Sequence, residues 1–319
     1  MNVSTLTPSE LGYRLKQAGI FLQTGSFITH LQTSIPSVAE GIGLLYADYP
    51  LVDQTGFADY HVSLAHPGNL RRWFKPQVHF LFDGYSPFKP LPLDQAFPML
   101  EWGLNWCVSS QANRYLIIHA AVIEKGGYAA ILPAPPGSGK STLCAALVNR
   151  GWRLLSDELA LIRVSDGKII PLPRPVSLKN QSIDIIQRYE PSAIFGRKVN
   201  DTMKGTVAHM KAPTESITRA AEAAQAAWVI FPKYQADVPP RLETLPRSRA
   251  FMRIADNAFN YSLLGVKGFE AMASIIDASL CYDFIYSNLD DAIETFAALM
   301  PPTPQCDFIP PDSTSTTAT

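Results

Sequence analysis

The strongest constraint on this chain's fold is a short glycine-bearing loop, Ala134-Pro135-Pro136-Gly137-Ser138-Gly139-Lys140-Ser141. It lies between an apolar run at 128–132 and a helix-forming stretch at 141–150. The spacing matches a Walker A loop with alanine at its first position. Gly137 and Gly139 let the backbone turn its N–H groups inward around phosphate oxygens, where side chains would obstruct. Lys140 offers a point charge to β- and γ-phosphates, and Ser141 a hydroxyl ligand for a divalent cation. The helix that follows aims its positive end at the same anion. Pro136, Gly137, Ser138, Gly139, Lys140, Ser141 and Thr142 are therefore the expected cofactor-binding positions. A strand before the loop and a helix after it argue against a chance glycine turn.

The flanking sequence predicts an α/β domain. A β-rich run at 115–124 and the run at 128–132 bracket Lys125-Gly126-Gly127, a hairpin turn. Gly151 closes the helix after the loop, and a short buried strand at 152–155 ends at Ser156-Asp157-Glu158, where a solvated acidic turn is the bland alternative. Asp157 lies 17 residues past Lys140, so one helix and one strand return the carboxylate to the sheet edge that carries the loop. Asp157 or Glu158 could hold Mg²⁺ there or accept the proton of an attacking hydroxyl. Further on, the pattern predicts a hairpin about 165–167, a helix at 182–189, a glycine-bearing loop at 196–205 and a strand at 227–231. Helices at 248–260, 266–278 and 290–299 and a strand at 281–286 complete it, with Asn288 capping the last helix.

Residues 1–112 read as a mainly β region ending in a helix at 94–109, with docking or assembly as its role. Prolines in 88–93 exclude a central strand there. Residues 113–300 form the expected catalytic domain, and the polar, proline-containing tail 301–319 is expected to be disordered. With 319 residues, 47% hydrophobic and 17% charged, the chain has ample material for a core. A net charge of −1 gives no bulk attraction to nucleic acid, and the basic-aromatic stretch 71–75 reads as solvated charge. Cys107, Cys144, Cys281 and Cys306 lack any metal-like spacing and fit reduced thiols. Neither a secretory signal nor an apolar stretch of about 18 residues is present, so a soluble cytoplasmic protein is expected, with no membrane partner.

His119-Ala120, the hairpin, the loop and Leu154-Leu155-Ser156-Asp157-Glu158 resemble the catalytic half of HPr kinase/phosphorylase. A closer resemblance is to the bacterial HPr-kinase-related kinase A family. It is carried by Glu101-Trp102-Gly103-Leu104-Asn105-Trp106, the run 151–158, the run 173–180, Lys204-Gly205-Thr206-Val207-Ala208-His209-Met210, and Ala258-Phe259-Asn260-Tyr261. The resemblance implies a P-loop fold shared with phosphoenolpyruvate carboxykinase, a mixed sheet, ATP with Mg²⁺, and a hydroxyl acceptor, most simply a serine on a protein or peptide. It makes Asp157 the residue that activates the hydroxyl, brings His119 to the phosphates, and allows a homo-oligomer. The Glu-Ile-Arg-Gly segment of HPr kinase is absent, and Thr142 stands where that family has Glu. Arg174, Lys179 or Lys204 could replace the missing cation, with Lys204 the preferred catalytic candidate. The expected catalytic set is Asp157, Lys140, His119 and Lys204; the expected metal ligands are Ser141, Glu158 and Asp157. A small-molecule kinase and a non-catalytic ATP-binding switch are the competing readings.

Overall fold

A computed structural model describes residues 1–52, 57–69 and 74–302. Positions 71–73 of the basic-aromatic stretch, Cys306 and the tail from 303 lie outside the described residues.

The N-terminal part is not mainly β. Thr7 and Glu10 form a capping box that opens α1 (Pro8–Lys16), with Pro8 in its first turn. After β1 (Ile20–Thr24) and β2 (Phe27–Thr33) comes α2 (Pro36–Leu45), again opened by proline. Next follow β3 (Leu51–Val52), β4 (Tyr60–Ala65), β5 (Gln77–Phe82), β6 (Leu91–Pro92) and α3 (Ala96–Gln111). The three helices carry 9, 10 and 16 residues, more than the strands they accompany. The sheet order is β3-β1-β2-β4-β5-β6, which puts proline-containing β6 at an edge, where its missing donor is harmless.

The second part is a mixed sheet, as the hairpin before the loop led one to expect. β7 (Tyr115–Lys125) turns through Gly126 and Gly127, both at positive φ, into β8 (Tyr128–Pro133), and the loop leads to α4 (Lys140–Val148). β9 (Arg153–Ser156) and β10 (Leu159–Arg163) both pair antiparallel with β7. Ser156 faces Val122 and Leu159 faces His119, so one strand continues past Asp157 and Glu158. The strand expected to end at Ser156-Asp157-Glu158 resumes after them, and the two acidic residues form a gap in pairing within it. The Ser156 hydroxyl there accepts from the Leu159 amide, and the Glu158 carbonyl accepts from Ala120 N–H.

After β11 (Ile169–Ile170) come β12 (Val176–Lys179), α5 (Gln181–Tyr189), β13 (Val199–Thr202) and β14 (Gly205–Met210). The stretch 196–205 is therefore no plain loop: β13 and β14 form a hairpin with Met203 and Lys204 at its tip, and β12-β14-β13 make a small third sheet. α6 (Thr214–Thr218), β15 (Gln225–Tyr234), β16 (Arg241–Thr244), α7 (Arg247–Ala255), α8 (Tyr261–Leu264), α9 (Val266–Asp277), β17 (Leu280–Tyr286) and α10 (Leu289–Ala297) follow. The expected helix 248–260 ends early, at Ala255, and α8 follows separately. Asn288 caps α10, accepting from the Asp290 and Asp291 amides. The main sheet runs β11-β10-β7-β8-β15-β17-β16, with β15 parallel to both its neighbours.

Two cores sandwich this sheet. One face packs α7 and α9 on Ile118, Val122, Ile131 and Val229. The other packs α4 and α10 in a cluster that continues without a break into the N-terminal part, from Leu143 and Trp152 to Tyr46, Leu100 and Cys107. Cys107, Cys144 and Cys281 are free and buried. Among the described residues, no helix is long and apolar enough to cross a membrane.

Candidate functional site

The loop is shaped from behind and open in front. Gly139 sits at φ 89, and a Cβ there would come within 2.4 Å of the Tyr286 hydroxyl and 3.0 Å of Tyr234 Cβ. Only glycine fits that backbone. The Tyr286 hydroxyl donates to the Gly139 carbonyl at 3.0 Å, and the Tyr234 amide donates to the Ser138 carbonyl at 2.8 Å. The ends of β15 and β17 thus fix the loop. Gly137, at φ 85, faces open space. No side chain caps the N-terminus of α4, so its first amides point into that space.

Lys140 starts α4, and its ammonium is buried without a hydrogen-bond partner. Burial pushes its pKa down, while Asp157 and Glu158 pull it back up. β9 runs in the same direction as β8, because both are antiparallel to β7. The two acidic residues that follow β9 therefore reach the carboxyl edge where the loop begins, as the spacing predicts. Asp157 is buried; its Oδ2 accepts from the Ser177 amide at 3.0 Å, and its Oδ1 has no partner. Burial and neighbouring Glu158 raise its pKa to about 6, although Lys140, the Ser177 amide and the Ser141 hydroxyl pull the other way. Glu158 shifts in the opposite direction. Burial favours its neutral form, but Lys204, Lys179, Lys140 and Arg174 surround it and hold it below the usual carboxylate range.

His119 lies on β7 opposite Leu159, its ring stacked on Phe259 at 6.0 Å. Burial and Lys140 press its pKa down to about 4, so the ring is neutral at pH 7. Lys204 holds its ammonium 5.0 Å above the Trp102 ring, a cation–π contact between hairpin and α3. Burial of its ammonium lowers its pKa and Glu158 raises it.

Several contributors come from outside the motif. Glu101, Trp102 and Asn105 of α3 line a recess with Asp157, Glu158, Arg174, Ser177 and His209. Its interior holds about 20 Å³, room for roughly one water. Asn105 donates to Glu158 Oε2 at 2.6 Å and accepts from Arg174. Arg174 is backed by Glu101, whose Oε1 accepts from the Tyr46 hydroxyl at 2.6 Å. His209 is buried with Nε2 unpartnered, and burial drives its pKa down to about 3. Asn105, Trp102 and Ser177 were not expected as site residues. The only sequence signal for the first two is the 101–106 run shared with the kinase A resemblance.

Ten buried side-chain polar atoms among the described residues lack a hydrogen-bond partner, and seven belong here: Trp102 Nε1, Ser138 Oγ, Lys140 Nζ, Asp157 Oδ1, Arg174 Nη1, Ser177 Oγ and His209 Nε2. Buried polar groups are ordinarily paired, so such a concentration marks a place built to meet a polar ligand or water. The described residues contain no group of three or more His, Cys, Asp or Glu able to cage a metal. Two carboxylates and the Ser141 hydroxyl suit a magnesium whose remaining positions are filled by phosphate and water.

No family model and no curated protein matches the chain. Among solved structures, the Hpr(Ser) kinase/phosphatase from Coxiella burnetii is similar over 57% of this chain and 95% of its own, at 12% identity and a TM-score of 0.25. At that score the likeness is a distant one and carries no weight for the assignment of the site.

Proposed function

We propose that the chain is an ATP-dependent phosphotransferase that phosphorylates a hydroxyl, with a serine on a protein or peptide as the preferred acceptor. The observation that carries the reading is the buried, unpartnered Lys140 ammonium at the start of α4, behind a glycine loop open to solvent. A buried ammonium with no hydrogen-bond partner is costly to keep, even with Asp157 and Glu158 nearby, unless a ligand anion meets it.

Bound here, Mg-ATP would supply the phosphoryl group and the metal's charge. The loop amides from Gly137 to Ser141 would line the phosphate path, with Pro136 and Thr142 at its two ends. Lys140 would neutralise the phosphate oxygens, and Ser141 and Glu158 would hold the metal. The opposed pKa shifts support a division of the acidic pair: Glu158, held ionised by its ring of cations, for the metal, and Asp157, raised to about 6, for a proton acceptor near neutrality. Asp157 Oδ1 takes the acceptor's proton. Neutral His119 would border the phosphates without adding charge, and Lys204, at the hairpin tip beside Trp102, would supply a second cation.

One observation favours a second reading, a nucleotide-dependent switch that transfers nothing. Asp157 is only 5% exposed, so little of its carboxylate faces an incoming acceptor. Labelled ATP and cell lysate discriminate. Lys140→Ala should lose most Mg-ATP affinity by calorimetry. Asp157→Asn should keep binding yet cut transfer roughly 10²-fold. Wild-type affinity in Lys140→Ala sinks the nucleotide site; tight binding with no labelled species in any lysate favours the switch.

A further inference from the structure

The Arg174 guanidinium and the Glu158 carboxylate share the recess, yet they do not meet. The side-chain amide of Asn105 stands between them. Its nitrogen donates to Glu158 Oε2 at 2.6 Å, and its oxygen accepts from Arg174 Nη2. Chemistry fixes that orientation, since the reversed amide would set NH₂ against guanidinium and oxygen against carboxylate. Asn105 therefore satisfies both charges and separates them.

Unseparated, an arginine and a glutamate in one desolvated recess would close into a bidentate pair. That pair would occupy the atoms each now leaves unused. Arg174 Nη1 has no hydrogen-bond partner and stands 4.0 Å from Glu101 Oε2. The Asn105 hydrogen bond to Glu158 goes to Oε2 and leaves Oε1 aside, while the cation Lys204, over Trp102, acts on the carboxylate through its charge. Both spacer and ring come from α3, on the N-terminal side of residue 112.

We propose that Asn105 is a positioning residue that keeps Arg174 off Glu158, so that the carboxylate stays available to a magnesium ion arriving with the nucleotide. The inference rests on the nucleotide reading above and adds to it a residue outside the loop and the acidic pair. It also gives the N-terminal part a role inside the site.

Calorimetric ATP affinity, measured in Mg²⁺ and again in EDTA, yields a magnesium enhancement for each variant. The wild-type chain should bind more tightly with magnesium. Asn105→Ala should lose roughly tenfold of that enhancement, the worth of one charge-assisted contact, while its metal-free affinity and melting temperature stay near wild type. Adding Arg174→Met with Glu101→Gln removes the competing cation without stranding a buried carboxylate, and should restore the enhancement. A residue that merely packs α3 would not be rescued this way. If the combined variant fails to fold, Asn105→Gln is the second rescue: its longer amide reaches both partners and should retain most of the enhancement. Full enhancement in Asn105→Ala, or no recovery in the rescue variant, overturns the proposal while leaving the nucleotide reading intact. No ATP binding by the wild-type chain overturns that reading and this inference with it.

Discussion

Asp157 and Glu158 are adjacent, and their surroundings push them apart. Asp157 rises from 3.8 to about 6 because burial outweighs its favourable partners. Between those values the folded chain binds more protons than the unfolded one, so stability falls as pH rises through that window. At about 1.4 kcal/mol per pH unit, the cost reaches roughly 3 kcal/mol above pH 6. Asp157→Asn should therefore melt higher than the wild type at pH 8 without nucleotide or metal, and the gap should vanish near pH 4. Transfer, needing the ionised form, should rise with pH and level off above about 6. A wild-type chain equally stable at pH 4 and pH 8, compared with Asp157→Asn at both, would contradict this assignment. Lys140, Ser141 and Asp157 could be picked out from the sequence because the motif and its spacing are local, whereas His119 was singled out by the family resemblance alone. Ser177 and Asn105 could not be picked out, because they meet the acidic pair from 20 and 53 residues away.

At the level of elements, the pairing of β7 with β9 holds the acidic pair in place, and it is pinned by Glu124 and Arg153, which face each other in register. Both are buried, and Arg153 Nε donates to Glu124 while its Nη1 and Nη2 donate to the Arg219 and Glu222 carbonyls at 2.7 and 3.1 Å. Glu124→Ala strands a buried guanidinium and should cost about 3–5 kcal/mol in denaturant unfolding. A loss under about 1 kcal/mol would show the pair to be dispensable. Periodicity located β7, β8 and α4, whose apolar runs are bounded by glycine, and β17, whose apolar run is bounded by Ser279 and Ser287. It ended the strand at Ser156-Asp157-Glu158, where a polar triplet looks like a strand end until the distant groups that satisfy it are known. It failed also at α1, although Thr7-Pro8-Ser9-Glu10 carries the capping-box signal openly.

For the whole molecule, residues 1–112 and the rest share one apolar cluster, and α3 lines the recess. A chain beginning at Asn113 would expose Leu143-side core and lose Glu101 from Arg174. It should fail to fold cooperatively, as judged by the absence of a sharp thermal transition. A soluble, cooperatively melting fragment that binds ATP like the full chain would separate the N-terminal part from the site. The expected boundary at 112 falls just after the end of α3, and a helix end is not a division of the core. Composition reveals how much apolar surface a chain has, not which elements share it.

The tyrosines behind the loop also set a timetable. Gly139 leans on Tyr286, and β17 reaches β8 only through β15, itself about a hundred residues beyond its partner. Contacts of such long range close slowly, and during synthesis they wait for most of the chain to emerge. The glycine loop is therefore made early and shaped late. Until residue 286 has left the ribosome, the loop has its sequence but not its backing, and a nascent chain carries no finished anion site to be occupied prematurely.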